Sequence, residues 1–307
     1  MKAFFDVHTH NFLSKCSYDN QSTPASYVDR AAELGLRLLG FANHCWDERV
    51  EGASSWYHDQ SLAFQMQIKN NIPKDTKGVR VLVGIETEYC GMSDTLGITA
   101  EGAKENQLDF VLIPHTHVHM RNFVMPYAAE EVKKRAELAE FLRTQSPIPM
   151  EEETIEKLVD AYPRRKLITD FPPYVEFVSD FMVQSFESLM NNEEFNKLIK
   201  VVPISIAHPF QPVGDRDLRD FMLMRIPDET FTRLFRMAAE KGVGLEINGN
   251  CNEPEMLRVL KLAREAGCRF TLGSDTHSIE IMSRIFETEP TIEALGLTED
   301  DFMDFCR

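Results

Sequence analysis

Two imidazoles set two residues apart open the case for metal chemistry. The segment Asp6-Val7-His8-Thr9-His10 closes an apolar run, and in an extended chain residues i and i+2 point to the same side. Both rings can therefore converge on one ion. The same kind of ending recurs along the chain. Asn43-His44, Gly84-Ile85-Glu86, Pro114-His115-Thr116-His117-Val118-His119, Ala207-His208-Pro209, Glu246-Ile247-Asn248 and Gly273-Ser274-Asp275-Thr276-His277 each follow an apolar stretch. Of the 9 histidines, only His58 stands away from such an end. One histidine in this position is usually a hydrogen-bonded structural group; a whole set on successive ends is a ligand pattern. Imidazole with carboxylate, and no paired cysteines, suits zinc, iron or manganese and hydrolysis more than a closed structural site.

The elements that must position these residues read as short strands alternating with helices. The candidate strands are 3–8, 37–42, 79–86, 109–113, 201–207, 243–248 and 270–273, nearly continuous apolar runs of the kind that parallel strands buried on both faces show. Thr23-Pro24 opens a helix that closes at Gly35, and the stretches from Pro227-Asp228 to Gly242 and from Glu253-Pro254 to Gly267 carry similar punctuation. This alternation predicts a parallel α/β architecture, an open sheet or a closed barrel. In a barrel the carboxyl ends of the strands form the active-site rim. The interval 121–200 has helical stretches but no good strand, and no Gly/Ser-rich linker bounds it. The reading is one domain over 1–307, with 121–200 as a helical insertion over part of the mouth.

Composition narrows the partners. Lys plus Arg number 33 against 49 Asp plus Glu, a net charge of −16, which repels phosphate backbones and argues against nucleic acid. It excludes a small anionic substrate less firmly, since bound cations reverse the local field. No targeting segment or membrane-crossing stretch is recognisable. The 6 scattered cysteines form no CxxC and read as reduced thiols of a cytoplasmic protein. No GxGxxG follows the first strand, so nucleotide-dependent redox chemistry has no support.

The ordered set of HxH, His, Glu, His, His and Asp-x-His, running from Asp6 to His277, resembles the PHP (polymerase and histidinol phosphatase) superfamily, and its histidinol-phosphatase-like members most. That resemblance implies a distorted (β/α)7 TIM-like barrel with a trinuclear metal centre and phosphoesterase activity on a small phosphorylated metabolite. Carried over by residue, it implies one metal held by His8, His10, Glu86 and Asp275. Glu86 then bridges to a second, completed by His117 and His208. A third takes His44, His277 and the residue six after His10, which is Cys16 where many relatives have His or Asp. At that place a Cys16 thiolate, Asp19 reaching in, or a small buried thiol beside a weak site all stand open. After the fourth strand the pattern falls on Thr116; His115 and His117 flank it, His117 is taken as the ligand, and His119 as a supporting, substrate-facing or solvated residue.

The implied reaction is attack on a phosphate monoester by a hydroxide generated at the metals, with Asp275, His277 and Glu86 at the reacting centre. A proton donor for the leaving group is expected near Asp275 and His277. Arg121 and Arg216 are candidates to grip phosphate, and Glu246 and Asn248 are candidate substrate-facing or supporting groups. Two other readings compete: an amidohydrolase-type hydrolase, which would release ammonia or a ring-opened product, and an inactive metal-binding regulator.

Overall fold

The computed structural model describes residues 2–17, 19–54, 56–116, 129–162, 167, 171–212 and 216–307. Strands β1 (Phe5–Thr9), β2 (Leu38–Phe41) and β3 (Arg80–Val83) form one parallel sheet in the order β1-β2-β3. A second parallel sheet contains β4 (Ile85–Glu86), then β7 (Val111–Leu112), β8 (Ile204–Ile206), β9 (Gly244–Ile247) and β10 (Phe270–Leu272). The expected strand 79–86 is thus divided between the sheets: its first half pairs with β2 and its second with β7. The break falls at Gly84, where a Cβ would lie 2.6 Å from the Phe110 carbonyl and 2.7 Å from its ring. Only glycine lets the backbones approach so closely.

Between β10 and β1 the contact is narrower. An isolated parallel bridge joins Thr9 to Thr276, with His10 N–H donating to the Thr276 carbonyl at 2.8 Å. No continuous ladder runs between these two strands among the described residues. A short antiparallel hairpin of β5 (Tyr89–Cys90) and β6 (Thr95–Leu96) follows β4, a feature absent from the sequence reading.

Apart from the polar groups turned toward the centre or paired within the core, most of the strands are apolar because both faces are covered. Every residue of β1, β2, β8, β9 and β10 is buried, and this explains why the runs are continuous rather than alternating. Helix Pro24–Leu34 begins where Thr23 Oγ1 accepts from Ser26 N–H and ends at Gly35 in the left-handed region (φ 74°). Helices Asp228–Glu240 and Pro254–Glu265 also fall where punctuation places them.

Within 121–200 the described helices are Ala129–Gln145, Glu152–Ala161, Phe171–Asn191 and Glu193–Leu198. Phe171–Asn191 is more than a covering layer. It sends Val178, Met182, Phe186 and Leu189 into the same apolar core as the strands and packs on Arg216–Arg225 and Asp228–Glu240. Each such buried side chain contributes about 1.5–3 kcal/mol of transfer free energy. Among the described residues no helix is long and apolar enough to cross a membrane.

Candidate metal centre

His8 and His10 project from the end of β1 to one side, as their spacing requires, and their Nε2 atoms stand 3.1 Å apart. His8 is oriented from behind: its Nδ1 lies 2.5 Å from Glu246 Oε2 on β9. A buried carboxylate at that distance selects the tautomer that donates from Nδ1 and leaves the Nε2 lone pair facing the centre. Space for this pair depends on Gly273, where a Cβ would sit 2.6 Å from His8 Cβ and 2.8 Å from Glu246 Cδ.

Glu86, at the end of β4, faces histidines with both oxygens. Oε1 is 3.2 Å from His208 Nε2. Oε2 is 3.4 Å from Nε2 of both His8 and His10 and 3.0 Å from His44 Nδ1. Asp275 closes the ring, with Oδ1 at 3.5 Å from His8 Nε2 and 3.2 Å from His10 Nε2. His208 and Asp275 both hold left-handed backbone (φ 30° and 51°), a cost that non-glycine residues sustain mainly where function needs a particular side-chain direction.

Cys16 arrives on the loop after β1. It joins His10, His44 and His277 in a group whose ligand atoms all lie within 4.8 Å of one another, while His8, His10 and Asp275 form a second such group. His277 Nδ1 donates to the Asp275 carbonyl at 2.9 Å, so its Nε2 carries the lone pair. Ser14 Oγ stands 3.2 Å from Cys16 Sγ and 3.4 Å from His10 Nδ1.

This donor set fits metal ions. Glu86 Oε2 is buried among three imidazole nitrogens yet accepts no aligned hydrogen bond, and buried acceptors are otherwise satisfied. Titration behaviour agrees. Burial opposes charge on His8, but the carboxylates of Glu246, Glu86 and Asp275 outweigh it and raise its pKa. Burial likewise opposes charge on His44, which Glu86 and Cys16 overcome. In return, His44 and His8 hold Glu86 well below the usual carboxylate range despite burial, and His8, with His10, does the same for Asp275. Burial would lift the Cys16 thiol, but His10 and His44 bring it down to about 2. Protons held on imidazoles by such a field occupy the place of cations.

Of the residues singled out in the sequence, His8, His10, Cys16, His44, Glu86, His208, Asp275 and His277 are brought together. Asp19 is not among them. Its carboxylate accepts from Gln21 N–H and the hydroxyls of Ser22 and Ser278. His115 points elsewhere: its Nε2 accepts from Phe210 N–H at 3.3 Å, its ring packs against Phe186 and Phe210, and burial, helped by His208, lowers its pKa to about 3. His117, His119 and Arg121 lie outside the described residues, as does the side chain of Arg216.

The carboxylate of Glu246 is fully buried and engaged behind His8 instead of facing open space. Asn248 Oδ1 accepts from Asn250 N–H and, at 3.4 Å, from Gln211 Nε2. Glu88 escaped the sequence reading. It accepts from Tyr57 Oη at 2.7 Å, and burial, then the charge of Glu86, raises its pKa to about 8. The signal was available, since Glu88 follows Glu86 with the same i, i+2 spacing as His8 and His10. Gln60, which accepts from Lys15 N–H at 2.8 Å and braces the Cys16 loop, carried no such signal.

No family model matches the chain, and no curated protein matches its sequence. A solved structure with the same fold is histidinol phosphate phosphatase from Lactococcus lactis subsp. lactis, complexed with zinc, L-histidinol and phosphate. It aligns at a TM-score of 0.57 and 17% identity over 96% of this chain and 94% of that one. N-isopropylammelide isopropylaminohydrolase from Burkholderia multivorans aligns at a TM-score of 0.38 and 10% identity, over 99% of this chain and 71% of that one. The first likeness is one of fold; the second is too slight to bear on chemistry.

Proposed function

We propose that this protein is a metal-dependent phosphoesterase that hydrolyses a small phosphate monoester, in the manner of a histidinol phosphatase, at a di- or trinuclear centre. The observation that carries the reading is the placement of Glu86. One carboxylate turns Oε1 to His208 and Oε2 to His8, His10 and His44, as a bridging ligand between two ions would. In this reading His8, His10, Glu86 and Asp275 hold one ion, and Glu86, His117 and His208 a second. His44, Cys16 and His277 hold a third. The two parallel sheets are arcs of one distorted (β/α)7 barrel spanning 1–307, with 121–200 inserted.

Divalent ions held by these residues would neutralise the non-bridging oxygens of a phosphate monoester and would supply hydroxide near neutral pH. The chain's own residues provide the rest. Glu246 fixes the tautomer of His8, and the Asp275 carbonyl fixes that of His277. Burial of His8, Glu86 and Glu246 strengthens the charge interactions among them, while Asp275 and His277 remain partly exposed on the side a substrate would reach. Arg121 and Arg216 are assigned to the phosphate from chain position alone. The 6 cysteines are free thiols, in keeping with a reducing cytoplasmic setting.

The test is phosphate release from p-nitrophenyl phosphate and L-histidinol phosphate by protein loaded with zinc, manganese or iron. Hydrolysis that EDTA abolishes, metal restores and Asp275→Ala removes is expected. A metal-loaded protein that cleaves no phosphate monoester overturns the reading, and ammonia release from an amide or amine substrate would replace it with amidohydrolase chemistry.

A further inference from the structure

We propose that Cys16 divides the centre into two positions of different metal preference: a thiolate–imidazole position of His10, Cys16, His44 and His277 that retains zinc, and a carboxylate-rich position around Glu86 and Asp275 that exchanges its ion freely. The proposal rests on the metal-hydrolase reading, adds selectivity to it, and moves His10, which belongs to both donor groups, from the first ion to the Cys16 position. One sulfur and three imidazole nitrogens lie within 4.8 Å of one another, a span that a single ion with bonds of about 2.0–2.3 Å can draw together. No carboxylate belongs to that group. The second group contains Asp275, and its neighbour Glu86 keeps a buried oxygen, Oε2, that no hydrogen bond satisfies.

Donor softness separates the two. A thiolate with imidazoles selects zinc over manganese, while carboxylate oxygens accept harder ions such as manganese. The surroundings of the sulfur agree with ligation. Ser14 Oγ is 3.2 Å away, close enough to donate to a thiolate, and Gln60 holds the loop through Lys15 N–H. His277, locked through Nδ1, and His10 stack at 4.4 Å between centroids, so both rings are set before an ion arrives. Cys16 is partly exposed, which leaves a route by which the ion can enter.

The experiment compares the full chain with Cys16→Ser and Cys16→Asp after exposure to equimolar zinc, manganese and iron(II), followed by dialysis against a moderate chelator. Metal content per chain is measured by mass spectrometry, and cobalt(II)-loaded samples are scanned for the near-ultraviolet thiolate-to-cobalt charge-transfer band. The intact chain should retain about one zinc ion, held by four ligands, and lose its manganese. Both variants should lose the band and bind that zinc at least about 100-fold more weakly, since disturbing groups outside the ligands already costs about 10–100-fold. Circular dichroism confirms that each variant is folded; should Cys16→Asp fail to fold, Cys16→Ser carries the comparison, and cobalt spectroscopy on the unmodified chain stands without either.

Absence of the band in the intact chain, or equal zinc retention in Cys16→Ser, overturns the division into two positions. An intact chain that takes up no metal refutes the underlying metal-centre reading instead.

Discussion

Replacing Glu246 with glutamine tests how the centre is held. The carboxylate receives His8 Nδ1 on Oε2 at 2.5 Å, while Oε1 faces the backbone N–H of His208 and the side-chain amide of Asn248, each at 3.4 Å. All three neighbours are donors in this arrangement. A glutamine oxygen placed toward His8 turns its NH2 against two other donors. The reverse placement makes His8 accept at Nδ1 and moves its proton to Nε2, the atom proposed to bind metal. Either way the site is weakened, though shape is almost unchanged. A hydrogen bond to a charged group contributes about 1.5–3 kcal/mol, which corresponds to about 10- to 150-fold in a binding constant. Metal affinity in Glu246→Gln should therefore fall by one to two orders of magnitude. Phosphatase activity should return as metal is raised, and KM for the ester should hold within about twofold. The assay is competition for zinc with a chromophoric chelator, alongside steady-state phosphate release. Unchanged affinity with a raised KM would refute the orienting role and return Glu246 to contact with substrate.

Further expectations follow from the same geometry. The metal-free protein should lose thermal stability as pH rises above about 6.5: the raised pKa values of His8, His44, His208 and His277 mean that the folded state binds the extra protons, and that advantage is present below the unfolded value and lost as pH climbs through the folded ones. Zinc should reverse the trend between pH 7 and 9, and a melting temperature for metal-free protein that stays flat or rises there counts against it. Gly273→Ala should cost about 1–3 kcal/mol in chemical denaturation, with lowered metal occupancy, because the new methyl meets His8 and Glu246; a fully loaded, equally stable variant contradicts the close packing. Finally, His115→Ala should destabilise the fold while leaving metal content unchanged, whereas His117→Ala should lower the metal content measured by mass spectrometry. The opposite outcome exchanges their roles.

Most of the candidate donors were legible because they stand immediately after apolar runs. Strand alternation settles which neighbours share a side, so His8 with His10 followed from spacing alone, and Glu88 with Glu86 would have followed too. The hairpin at Tyr89–Cys90 and Thr95–Leu96 was not readable, since two-residue strands show no period. Nor was the division of 79–86 between two sheets, which depends on the approach of Phe110 to Gly84. At the fourth strand, His115 and His117 are equivalent by alternation. What sets His115 aside is the cluster of Phe186 and Phe210, residues brought there from distant parts of the chain.

By itself, then, the sequence determined the kinds of donor, their order along the chain and the strand ends that carry them, because those depend on local period and residue chemistry. Only the tertiary structure decided which donors meet. Glu246 reaches His8 across 238 positions, Cys16 instead of Asp19 faces His44 and His277, and Glu86 divides its oxygens between His208 and the histidines opposite. These are choices among long-range approaches that parallel strand order and packing make, and no local pattern contains them.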